Sequence, residues 1–154
     1  MGVQENVVAA SLRRVSRAGF VQFGAVRKAA AAGVRELDIK ASSLVQRMAT
    51  LSGGNQQKVI LSRGLFTQAR VLILHEPTRG IDVGAKAEIY AILHKLAEDG
   101  AAVLIVSSEL PELMGQCDRI LVLYRGCISG SFARDQFAEE SILACAMGQA
   151  SHGI

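Results

Sequence analysis

Cysteine is scarce and irregularly placed in this chain. Cys117, Cys127 and Cys145 are odd in number and form no CxxC pair, so neither a disulfide framework nor a zinc site is indicated, and they read as small buried or neutral thiols. Aromatic residues make up only 5% of the sequence. Hydrophobic residues make up 50% and the mean hydropathy is +0.28, yet a charge or a glycine breaks every apolar run well short of the ~20 residues that span a bilayer. The opening Met1-Gly2-Val3-Gln4-Glu5-Asn6 has no basic stretch followed by an apolar one, so no secretory leader is expected and the cytosol is the default location.

Charge of either sign is nearly balanced, with 17 Lys and Arg against 14 Asp and Glu and a net charge of +3 over 154 residues. The cations are densest near the start, at Arg13, Arg14, Arg17, Arg27 and Lys28. So small an excess favours solvated helices over a nucleic-acid footprint, and no nucleic-acid partner is expected. The length is that of one domain with a substantial core.

The apolar spacing predicts helices over Gln4 to Arg17 and Val21 to Leu37, with Gly33 a weak point in the second. A connection follows, with a helical turn near Leu44 to Met48. From Leu51 helices alternate with short apolar strands: helix Asn55 to Gln68, a central strand at Val71 to Leu74, and an amphipathic helix from Val83 to Glu98 that buries Ile89, Ile92, Leu93 and Leu96. Then come strand Ala102 to Val106, a short helix that Ser108 can cap, strand Ile120 to Tyr124, a turn at Arg125-Gly126, strand Ile128 to Phe132, and a closing helix that Asp135 can cap. This order argues for an α/β fold with a mostly parallel sheet and an antiparallel final piece. His94 and His152 have no ligand-like neighbours and read as surface residues.

Two stretches carry chemistry. In Leu51-Ser52-Gly53-Gly54-Asn55-Gln56-Gln57-Lys58, two bare glycines follow a possible capping serine and open a helix, so backbone amides and the positive helix end suit an anion, most plausibly phosphate. In Val71-Leu72-Ile73-Leu74-His75-Glu76-Pro77-Thr78, an apolar strand ends in polar groups, which places His75 and Glu76 at the carboxyl edge of a parallel sheet, where α/β proteins hold ligands.

These residues resemble the ATP-binding cassette (ABC) ATPases. Leu51 to Lys58 is similar to their signature motif, Val71 to Thr78 to their Walker B strand with its catalytic glutamate, and Gly80-Ile81-Asp82 to their D-loop; Ser107-Ser108-Glu109 falls where they usually carry a switch histidine. Asn55, where most of the superfamily has Gln, and the stretch Glu76 to Lys86 resemble the second cassette of the double-cassette ATPases of bacterial monosaccharide import, of the ribose, xylose, arabinose and galactose type. The resemblance runs from Glu5 to Met147. It implies a partial P-loop NTPase-like ABC nucleotide-binding domain: residues 1–50 part of the helical subdomain, 51–134 the signature helix and α/β core, 135–154 a closing helix and tail. It further implies ATP and magnesium as cofactors of the complete assembly, Glu76 as the catalytic residue, and Ser52, Gly53, Gly54, Asn55, Gln56, His75, Asp82 and Ser108 around the nucleotide. The implied partners are another cassette across a shared ATP site, membrane permease subunits and a sugar-binding protein, with the chain peripheral at the inner face of the bacterial membrane.

Two departures temper this. No glycine-rich phosphate loop ending in Lys and Ser/Thr occurs, and Gly19 to Gly24 opens no helix after a strand, so the expectation is a C-terminal part of a cassette without its Walker A half. His75 stands where the family has Asp, and imidazole prefers softer metals than magnesium, so no metal site of the chain's own is expected. The alternative reading is a non-catalytic remnant or interaction module with an exposed apolar sheet edge.

Overall fold

Apolar residues at helical spacing between Val3 and Leu93 converge on one core. In the computed structural model, which describes residues 1–149, two compact units form, Met1–Val106 and the part from Ser107 onward. Residues 150–154, His152 among them, lie outside the described part.

The first unit begins with α1 (Val3–Val8), followed by a 3-10 turn, Leu12–Val15, and a hairpin of β1 (Ser16–Arg17) and β2 (Phe20–Val21). The single helix expected up to Arg17 is therefore half its length. Residues 16 and 17 are drawn into a strand instead, because Ala18 at φ 52° and Gly19 at φ 83° make the tight turn that pairs them with Phe20 and Val21. Next come α2 (Phe23–Glu36), a 3-10 turn at Met48–Thr50, α3 (Gly53–Phe66), β3 (Val71–His75), α4 (Val83–Glu98) and β4 (Ala102–Val106). The helical turn expected at 44–48 lies at 48–50. Its place is taken by carbonyls that serve α1: Leu44 O accepts from Gln4 N at 2.9 Å and Gln46 O from Val3 N at 3.0 Å, satisfying amides that a helix start leaves without partners.

Val3, Val7, Ala30, Val59, Leu61 and Ile89 sit at the centre of the core, so the helical part of residues 1–50 shares its interior with α3 and α4. Ile89 and Leu93 are buried, with Ile92 and Leu96 packed against them, as the stripe on α4 predicts. β3 and β4 pair parallel and in register, Val71 opposite Ala102 through His75 opposite Val106. Leu74, Val103 and Ile105 face the core, whereas Val71 and Ile73 are 58% and 69% exposed. A strand buried on both faces was expected here; burial instead alternates, because the helices of this unit cover one side of the pair.

The second unit holds α5 (Leu110–Gln116), β5 (Arg119–Tyr124), β6 (Cys127–Ala133) and α6 (Glu139–Ala146). β5 and β6 form an antiparallel hairpin closed by Arg125-Gly126, the expected turn, and pack with α6 around Ile120, Phe132, Ile142 and Cys145. The parallel β3–β4 pair and the antiparallel β5–β6 pair have the polarities the sequence implies, but the described strands form three separate pairs rather than one mostly parallel sheet, and the β1–β2 hairpin adds an unexpected antiparallel pair. Two capping expectations fail. Asp135 lies in a 3-10 turn, Arg134–Gln136, and α6 starts only at Glu139, with Ala138 at the cap position. The cap of α5 falls on Glu109, not Ser108, and the Ser107 hydroxyl accepts the Glu109 amide at 3.0 Å. Of the thiols, Cys145 is buried, Cys117 half-buried and Cys127 exposed. Burial, with the Asp118 charge adding to it, pushes the Cys117 thiol above its ordinary range.

Gly33, a weak point by propensity, has a packing reason: a Cβ there would run into the Ser62 hydroxyl of α3. Gly33→Ala is therefore expected to lower stability by about 1 kcal/mol despite its better helix propensity. In a Ser62→Ala background the same change is expected to stabilise by about 0.5–1 kcal/mol, because only the propensity term remains. Urea unfolding of the four variants measures this reversal of sign.

Candidate functional site

The site grows from two chain reversals that meet. α3 begins at Gly53 with Ser52 at the cap position, but the Ser52 side chain does not cap the helix amides. Its Oγ accepts instead from Asn55 Nδ2 at 2.8 Å, and Asn55 Oδ1 accepts the Lys40 amide at 2.7 Å. Gln56 Nε2 donates to the Leu51 carbonyl at 2.9 Å. The two polar side chains of the motif thus fix the shape of the loop, while Ser52 and Gly53 stay exposed.

The second reversal follows β3. His75 is exposed, and Glu76, half-buried, has φ 48°, a left-handed value that a residue with a side chain takes only where its surroundings impose it. Three contacts impose it. The Glu76 amide donates to Val106 O at 2.8 Å, Pro77 and Thr78 are buried, and Thr78 Oγ1 lies 3.2 Å from the Tyr90 hydroxyl. Ile81 N then donates to Thr78 O at 3.3 Å, and Asp82 caps α4, its Oδ1 accepting from Ala85 N at 2.9 Å.

These two reversals touch. A Cβ on Gly54 would sit 2.6 Å from the Ala85 Cβ and 3.7 Å from Ile81 Cγ2, and one on Gly53 would sit 3.6 Å from the Gly80 carbonyl oxygen. Behind them Lys58, buried, reaches from α3 to Glu88 of α4 at 2.7 Å and to the Asp38 carbonyl at 3.2 Å. Lys58 closes the motif in the sequence, yet its ammonium staples α3 to α4 rather than facing a ligand. The structure therefore brings Gly53 and Gly54 against Gly80, Ile81 and Ala85, with Ser52 and Asp82 next to them in the chain and His75 and Glu76 at the end of β3. Ser108 belongs to the second unit. Tyr90, Ala85 and Glu88 contribute to the site without a local signal in the sequence; only the small size of Ala85 hints at a close contact.

The donor set fits an anion at the glycine pair better than it fits magnesium. His75 offers an imidazole and no carboxylate at the end of β3, and among the described residues no three His, Cys, Asp or Glu side chains converge on a metal position.

The sequence profile of the ABC transporter family matches residues 1–79, half of the chain, and the chain belongs to that family. It is 46% identical over 151 residues to a ribose import ATP-binding protein of Streptomyces avermitilis, covering 98% of this chain and 30% of that protein. With a xylose import ATP-binding protein of Moorella thermoacetica it shares 50% identity over 148 residues, 96% of this chain and 29% of the other. The chain thus spans about 30% of the length of these curated relatives. Its fold is that of solved ATP-binding cassettes: a dimeric cassette in a post-hydrolysis state with ADP and Pi superposes at TM-score 0.70, with 23% identity, over 89% of this chain and 58% of that one.

The packing of Gly54 on Ala85 leaves no room for a methyl group at Gly54. Gly54→Ala is expected to cost about 2 kcal/mol in urea unfolding, and Gly53→Ala within about 0.5 kcal/mol of nothing. Ala85→Gly added to Gly54→Ala is expected to return most of the loss, and equal costs at the two glycines would contradict this contact.

Proposed function

We infer that this chain supplies the signature side of a nucleotide site in the ATP-binding subunit of a monosaccharide importer. The observation that carries this reading is the contact of Gly53 and Gly54 with Gly80 to Ala85 in a chain so similar, over nearly its whole length, to ribose and xylose import ATP-binding proteins. In this reading Ser52, Gly53 and Gly54 meet the γ-phosphate of ATP held by the phosphate loop of another cassette, with bare amides and a helix N-terminus as donors. Asn55 and Gln56 keep that loop in shape, and Asp82 holds the facing turn. Glu76 is the water-positioning or general-base group, and its imposed backbone conformation is the kind of strain that functional positions carry. Ser108 occupies the place of the switch histidine.

The complete assembly would use ATP and magnesium, with membrane permease subunits and a sugar-binding protein as further partners and a location at the inner face of the bacterial membrane. The 154 residues contain no phosphate loop, and His75 is a poor stand-in for a carboxylate that orders water on magnesium. The exposed outer face at Val71 and Ile73 favours a second reading, an interaction module without turnover of its own.

The two-sided site has a direct consequence. The chain alone is expected to show no ATP turnover above background, whereas mixing it with a ribose-importer cassette that binds Mg-ATP on its own phosphate loop is expected to raise the turnover of that cassette. Gly53→Asp is expected to abolish the increase by placing a carboxylate against phosphate. Phosphate release measures both, and steady turnover by the chain alone would contradict the reading.

A further inference from the structure

The carboxamide of Asn55 lies between two anchors of different kind. One is the short segment after α2. Ile39 there is buried and its amide donates to Val34 O at 2.9 Å, while the carbonyl of Asp38, a left-handed residue at φ 47°, accepts from the buried Lys58 ammonium at 3.2 Å. Held on both sides, the Lys40 amide donates to Asn55 Oδ1 at 2.7 Å. The other anchor is Ser52, whose Oγ accepts from Asn55 Nδ2 at 2.8 Å.

The chemistry of the first anchor dictates that of the second. A backbone N–H only donates, so the atom of Asn55 that faces Lys40 is its carbonyl oxygen, and the atom left for Ser52 is the NH2 group, which also only donates. Ser52 Oγ therefore accepts, and its own proton is not used in that bond. No other hydrogen bond of this hydroxyl exists among the described residues, and it caps no helix amide. The first amides of α3, at Gly53 and Gly54, have no carbonyl one turn back within the helix. The nearby cations are engaged, Lys40 Nζ with the Asp38 carboxylate and Lys58 Nζ with that of Glu88, each at 2.7 Å.

We propose that Asn55 is a positioning residue that acts through Ser52: its NH2 group holds the Ser52 oxygen as an acceptor, so the hydroxyl proton is left for the γ-phosphate. The proposal rests on the reading of Ser52, Gly53 and Gly54 as one side of a nucleotide site. Phosphate oxygens are strong acceptors, so a serine that turned its proton inward would set lone pairs against them. With the carboxamide in place, the loop meets phosphate with donors alone, one hydroxyl and the glycine amides. Anchoring to Lys40 fixes the sense of this relay, since a free carboxamide could turn over and offer Ser52 its oxygen.

Amide exchange on the full chain, followed by phosphate release in the presence of a ribose-importer cassette that holds Mg-ATP, tests this. Asn55→Ala is expected to speed exchange of the Lys40 amide about tenfold, and Ser52→Ala to leave it unchanged. Ser52→Ala and Asn55→Ala are each expected to lower the rise in turnover about tenfold, and the double variant to fall no further than Ser52→Ala by itself. Asn55→Asp keeps an acceptor for Lys40 and loses the donor to Ser52, so it is expected to keep slow Lys40 exchange and still lose the rise. Three outcomes would overturn the proposal: unchanged Lys40 exchange in Asn55→Ala, losses that multiply in the double variant, as a role in loop shape alone would give, or a full rise with Asn55→Asp. A wild-type chain that leaves the turnover of that cassette unchanged would instead overturn the nucleotide reading, and this proposal with it.

Discussion

Everything at the site depends on the absence of a side chain at Gly54. α3 and α4 approach there until a Cβ would stand 2.6 Å from that of Ala85, a distance that packed proteins do not tolerate. Because the helices meet so closely, Lys58 can reach Glu88 and the Asp38 carbonyl from a buried position, and the turn after β3 is pressed against the start of α3. The pair is asymmetric, with 6% of the Lys58 side chain exposed against 62% of Glu88, so water screens one end of it. Its value lies in holding two helices in register more than in net stability. Two loops that lie far apart in the sequence, Gly53-Gly54 and Gly80 to Ala85, become one surface.

In the proposed reading that surface is one side of a nucleotide site. The glycine pair offers backbone amides without bulk, and Glu76 is held in a left-handed conformation just past the end of β3, ahead of the buried Pro77 and Thr78. What the described residues do not assemble is a carboxylate set for magnesium, and His75 is the clearest departure from one. In the proposed reading, groups from another cassette complete the site.

Much of this was legible in the residues. The runs Leu51 to Lys58 and Val71 to Asp82 carry their chemistry locally, since glycines and a strand end are short-range signals. The stripe Ile89, Leu93 on α4 announced the core in the same way. Illegible were the features fixed by distant partners. No spacing rule ties Lys58 to Glu88, Thr78 to Tyr90, or Gly33 to Ser62, and so Lys58 read as part of an anion motif and Gly33 as a mere weakness. The turn at Ala18-Gly19 falls in the gap left between the two expected helices, but the early end of α1 at Val8 was missed, because the Arg-rich run after it keeps a helix-like apolar spacing. Likewise the outer face of β3 was expected to be covered, because a uniformly apolar strand looks the same whether one face or both are buried.

The central claim is that the Gly53–Gly54 amides belong to a site completed by a second cassette. Amide hydrogen exchange at Gly53, Gly54 and Asn55 tests it most directly. The account predicts no added protection from Mg-ATP alone and clear slowing once a cassette loaded with Mg-ATP on its own phosphate loop is present. Protection of these amides by nucleotide without the second cassette, or none with it, would contradict the account.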